Sequence, residues 1–112
     1  MKRLFLAAAL LALPASAIAQ KAPEGGAWTE CMVGDIFADR DRLEIGCAGK
    51  TAGPRRFALE IRDPLAETLL RLAISAKDRN RPLGVLFVMA PEANPEGCDA
   101  EICRRLAAVN LR

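Results

Sequence analysis

From Trp28 onward the hydrophobic positions fall on alternate residues. Cys31, Val33 and Phe37 take every second place among small and charged neighbours, as do Leu43, Ile45 and Cys47, and then Phe57, Leu59 and Ile61. A period of two is the pattern of strands with one buried face. Turn-forming residues separate the three runs, at Asp39-Arg40-Asp41-Arg42 and at Gly49-Lys50-Thr51-Ala52-Gly53-Pro54. The spacing therefore predicts a three-stranded meander. Its first register sets Cys31 opposite Cys47 and Val33 opposite Ile45. Its second sets Cys47 opposite Phe57, Ile45 opposite Leu59 and Leu43 opposite Ile61.

The period then lengthens. Asp63 suits a helix N-cap and Pro64 the first helical position, and Leu65, Leu69, Leu72, Ala73 and Ala76 recur at intervals of three and four. Leu70 and Ile74 widen this stripe, so they are the candidate interface residues of an amphipathic helix over Pro64 to Arg79. Basic residues and Pro82 end it. Leu83 to Met89 is apolar on both parities, which predicts a well-buried strand. A Pro, Gly and acid-rich loop follows from Ala90 to Glu101, and Arg104 to Leu111 is a last strand. The order is β-β-β-α-β-β.

The residues before Trp28 have a different character. Lys2 and Arg3 precede the apolar run Leu4 to Leu13, and small residues surround Pro14, which is the order of a cleavable secretory signal. Cleavage is expected after Ala17-Ile18-Ala19, so that 1–19 is a signal peptide, 20–27 a flexible lead-in and 28–112 a single domain. The apolar run is shorter than the roughly 20 residues a membrane span requires. The formal charge of +2 belongs to this signal, because without Lys2 and Arg3 the basic residues equal the 14 acidic ones. A balanced domain lacks the concentrated basic face of a nucleic-acid binder. Arg55-Arg56, Arg79 with Arg81, and Arg104-Arg105 read as solvated pairs at the ends of elements. Neither nucleic-acid binding nor membrane insertion after processing is expected, and the processed chain is expected in the periplasm or secreted.

Cys31, Cys47, Cys98 and Cys103 are an even set in an exported chain, which reads as two disulfides. The hairpin register favours Cys31 with Cys47, and Cys98 with Cys103 closes a tight loop. Zinc ligands would come in two closely spaced pairs, and a redox pair would be Cys-x-x-Cys, so neither chemistry fits. Candidate catalytic groups are scarce. The chain has no His, which removes the commonest base and metal ligand, and the only serine beyond the signal is Ser75 within the helix. Glu92, Glu96, Asp99 and Glu101 gather in the long loop without a calcium-loop spacing and read as a solvated charge run. No catalytic residue, metal or cofactor is assigned. Trp28, the sole Trp, reads either as a lid on the core or as a stacking platform for a sugar ring, and is the candidate ligand contact.

Five short strands, a helix between the third and fourth, and a long last connection match an OB-fold-like barrel, a mainly β fold with one helix. An open α+β sheet with the helix on one face is the alternative. The signal, the bridged hairpin Trp28 to Cys47, the block Asp63 to Val88 with Arg81-Pro82 at its centre, and the segment Gly97-Cys98 to Cys103 together resemble the exported OB-fold binding subunits of bacterial AB5 toxins. The resemblance is notably to the subtilase-cytotoxin and pertussis-like group. The resemblance implies a ring of five, helices lining a pore, and a glycan-binding face. The chain has no Tyr and lacks the family's serine and tyrosine pattern in the first strand, so no glycan-binding residue is carried over. The functional expectation is a non-enzymatic recognition module with a glycan or protein ligand, assembling as a homo-oligomer. An envelope accessory or structural protein acting only through protein contacts is the alternative.

Overall fold

The computed structural model describes residues 26–50 and 52–112. The expected signal peptide, and the expected lead-in up to residue 25, lie outside the described residues. The described chain is mainly β with one α-helix: strands β1 (Gly26–Cys31), β2 (Val33–Ala38), β3 (Arg42–Cys47) and β4 (Arg56–Glu60), helix α1 (Leu65–Arg79), then β5 (Leu83–Val88) and β6 (Cys103–Leu111). A single 3-10 turn at Pro91–Ala93 interrupts the loop between β5 and β6. The first described strand includes Gly26 and Ala27, ahead of the alternating run that starts at Trp28.

The strands form one six-stranded sheet in the order β1-β5-β6-β4-β3-β2. All neighbours are antiparallel except β4 and β6, which run parallel. The ladder does not close, since β1 and β2 stand at its two ends. These end strands are nevertheless consecutive in the chain, with Met32 alone between them. The sheet must therefore curl until its ends lie one residue apart.

The predicted first strand is two strands, which corrects the count from five to six. The break has a visible cause. Met32 leaves the ladder and its carbonyl accepts the Ala48 N–H at 2.7 Å, and an irregularity follows between Val33 and Asp35. The extra residue at Gly34 is a β-bulge, which shifts one strand by one position and exchanges its faces. The first predicted register is accordingly wrong. Val33 faces Cys47, Ile36 faces Ile45, and Phe37 faces Glu44. Ile36 turns toward the core, whereas Phe37 points outward at 41% exposure with the Arg42 guanidinium 4.9 Å above its ring. The second register is displaced by two residues, pairing Ile45 with Phe57 and Leu43 with Leu59. An even shift keeps every side chain on its face, so the core composition survives, but Ile61 falls beyond the strand end and is exposed.

Leu43, Ile45, Phe57, Leu59, Leu69, Leu83, Val85 and Leu106 form the centre of the core, and Phe57 and Phe87 meet with ring centroids 5.3 Å apart. Helix α1 packs against β2 through β6. Its buried line is Ala66, Leu69, Ala73 and Ala76, with Leu65 and Leu72 half covered at its margins. Small residues on that line let the helix approach the sheet closely. Pro64 occupies the cap position, and the capping hydrogen bond comes from the residue before it: Asp63 Oδ1 accepts the Leu65 N–H at 2.8 Å. At the other end Asn80 adopts a left-handed conformation, and the N–H of Arg81 reaches back to Ala76 O at 2.9 Å.

Both predicted disulfides are present, Cys31–Cys47 and Cys98–Cys103. The first joins the end of β1 to the end of β3, pinning the chain beside its break at Met32.

Candidate functional site

The outward face of β2, β3 and β4 carries a row built by strand register. Asp35 lies opposite Gly46, and Gly46 lies opposite Arg56. Because Gly46 has no side chain, Arg56 reaches across β3 and grips Asp35 with two bonds, Nη1 to Oδ1 at 3.1 Å and Nη2 to Oδ2 at 2.8 Å. A Cβ at position 46 would collide with both partners. The third edge of the same guanidinium donates from Nε to Glu44. Glu44, only 6% exposed, also accepts from Arg42 Nε at 2.8 Å. A carboxylate this buried is tolerated because two guanidinium groups face it. The Arg56 hydrogen bond holds Asp35 below the usual carboxylate range. In turn the bonds from Asp35, and then Glu44, push Arg56 further up.

The long loop after β5 folds over the next part of this face. Cys98, Cys103 and Ala58 make a small second core, with Ile102 at its edge. Asn94 ties the loop down, donating to the carbonyls of Cys98 and Cys103 and accepting the Arg105 N–H at 3.0 Å. Gly97, at φ 89°, packs against the Arg42 guanidinium, so this loop meets the start of β3. Arg105 spans from β6 to Glu60 at 2.7 Å and to Asp63 at 3.3 Å, bracing the start of α1. Its bond to Glu60 lowers the pKa of that carboxyl and raises that of the arginine.

The residues singled out from the sequence lie on separate surfaces. Trp28 is 44% exposed on the outward face of β1, opposite Leu86 of β5, and is not part of the core. Leu70 and Ile74 are 36% and 46% exposed on the solvent side of α1, one turn apart. The loop carboxylates Glu92, Glu96, Asp99 and Glu101 are exposed, and Asp99 is occupied in accepting the Glu101 N–H at 3.0 Å. Among the described residues no three metal-binding side chains converge. Sequence reasoning missed the Asp35–Gly46–Arg56 row. Its one local signal is a glycine inside a predicted strand, which marks the close approach of another group.

These features define a small, mainly β domain with two disulfides, a combination suited to an oxidising compartment. No described helix is long and apolar enough to cross a membrane. No protein-family model, curated protein or solved structure matches the chain.

Proposed function

We propose that the processed chain is an exported, non-enzymatic recognition module that binds a glycan or a protein and assembles with itself, on an OB-fold-like barrel of the kind used by toxin B subunits. Export is supported by the order Lys2-Arg3, Leu4 to Leu13 and Ala17-Ile18-Ala19, and by the two disulfides. Three features support the barrel. The two end strands of the sheet are halves of one chain segment, β4 pairs parallel with β6, and the helix lies between β4 and β5. A non-catalytic role is supported by the lack of any His and by the engagement of Asp35, Glu44 and Glu60 in internal ion pairs.

The observation that carries the binding role is Trp28. An indole left in water on a strand face, beside Leu86, is apolar surface with a polar N–H at its rim, which suits stacking on a sugar ring or burial under a protein partner. A glycan-array screen of the processed protein, with its solution mass, tests the reading. Binding that disappears in Trp28→Ala while the circular dichroism is retained is the expected result. Binding that persists in the variant would remove Trp28 from the site. A monomer that binds no glycan would favour the accessory-protein reading, which the exposed Leu70 and Ile74, one turn apart on α1, support.

A further inference from the structure

We infer that the cleft between β2 and the β3–β4 turn is a binding site for a small oxyanion group, held by Lys50 and Arg55. The cleft has a volume of about 280 Å³ and is lined among others by Gly34, Asp35, Gly46, Lys50, Arg55 and Arg56. Gly34 and Gly46 contribute no side chain to it, the space over Gly46 being taken by the Asp35–Arg56 pair. Lys50, Arg55 and Arg56 share its lining with one carboxylate, that of Asp35.

The charge does not cancel within the structure. From Ile45 to Leu59 the chain carries Lys50, Arg55 and Arg56 and no acidic residue. Arg56 is fully engaged, with Asp35 on its two terminal nitrogens and Glu44 on Nε. Lys50 and Arg55 are different. The Lys50 ammonium, half buried, donates to the neutral Thr29 hydroxyl at 3.0 Å, which positions it without neutralising it, and no other partner takes its remaining donors among the described residues. Arg55 forms no ion pair among the described residues. Its backbone is fixed all the same, since its N–H donates to Ile102 O at 2.8 Å and its carbonyl accepts the Cys47 N–H at 2.8 Å. The disulfide at Cys47 anchors the same corner. An ammonium held by a neutral hydroxyl and a forked guanidinium without an ion pair among the described residues, both lining one cleft, are a donor set for the oxygens of a carboxylate, sulfate or phosphate. The volume admits such a group together with part of the molecule that carries it.

This site is independent of Trp28, because Trp28 and Thr29 point to opposite faces of β1. The test is a titration of the processed protein with sodium sulfate, sodium phosphate and sodium acetate in turn, at ionic strength held constant with sodium chloride. Amide shifts of Gly34, Gly46, Ala48 and Ile102 in heteronuclear NMR spectra are the readout. At least one oxyanion should give saturable shifts confined to this corner. Lys50→Gln and Arg55→Gln should each weaken binding by roughly tenfold, the scale of one charge-assisted hydrogen bond. Arg71→Gln, on the exposed side of α1, should leave it unchanged. Preference for acetate would mark a carboxylate site, and preference for sulfate or phosphate a tetrahedral one. Shifts that fail to saturate, that spread over the whole surface, or that persist in both variants would overturn the inference.

Discussion

Arg56 of β4 holds Asp35 of β2 by both arms of its guanidinium, at 3.1 and 2.8 Å, although β3 lies between their strands. The contact is open only because Gly46 stands at the crossing point. It ties the bulged part of β2 to the sheet where the backbone ladder is least regular.

Gly46→Ala therefore reaches beyond its own position. The added Cβ would meet the Asp35 carboxylate and the Arg56 guanidinium, and moving Arg56 would also strip a partner from the buried Glu44. A loss of roughly 1–3 kcal/mol is expected, the usual cost of inserting a group where there is no room. Denaturant unfolding measures it. A stability equal to wild type would show that the pair is easily displaced.

Acid should weaken the same region. Asp35, Asp39 and Glu60 all have carboxyls held below their usual values: Asp35 by the Arg56 hydrogen bond, Asp39 by the backbone N–H groups of Arg42 and Asp41, and Glu60 by Arg105. The native state therefore binds fewer protons than the unfolded chain as the pH drops through the unfolded values, near 3.8 for Asp and 4.5 for Glu. Their contribution is present above that range and is lost as the pH falls through the lower folded values. Stability should be flat from neutral pH down to about 5 and decline below it. Asp35→Asn should reduce both the stability at neutral pH and the steepness of the acid decline. An unchanged profile would remove Asp35 from the account.

Denatured, unreduced protein should show no free thiol, matching the two bonds. Replacing Cys31 and Cys47 together by Ser should cost about 3 kcal/mol, and replacing Cys98 and Cys103 about 2 kcal/mol, on the loop-entropy estimate. The second pair has a further expected effect. Without it the loop should release Ala58, so that amide exchange in β4 rises locally while the sheet stays intact.

Leu70 provides the test of self-assembly. If the chain assembles through α1, Leu70→Glu should give smaller particles in sedimentation while the circular dichroism of each subunit is kept. Ala73→Glu, which puts a charge into the core, is the contrasting variant and should unfold the domain. A wild type already monomeric at micromolar concentration would remove the assembly proposal.

The sequence was most legible where structure is local. Alternation along Leu43–Cys47 and Phe57–Leu59, and the three- and four-residue spacing of Leu65 to Ala76, identify strands and helix because side-chain direction follows backbone geometry within a few residues. The pairing of Cys98 with Cys103 follows from proximity in the chain. Candidate chemistry was less legible. Trp28 could be named as the sole indole, but its face could not, and Arg55 looked like one of several solvated pairs.

By itself, then, the sequence determined which segments are strands, which is helix, which residues can fill a core, and that two disulfides are available. Tertiary structure alone decided which face each residue of the first hairpin presents. One bulged residue at Gly34 and the break at Met32 sent Ile36 inward and Phe37 outward, and periodicity cannot count a residue that the partner strand skips. The same pairing brought Asp35, Gly46 and Arg56 into one row and set Lys50 and Arg55 along the cleft beside it. Charges that far apart in the chain acquire partners only when strands align, so their roles exist in the sheet and nowhere in the local sequence.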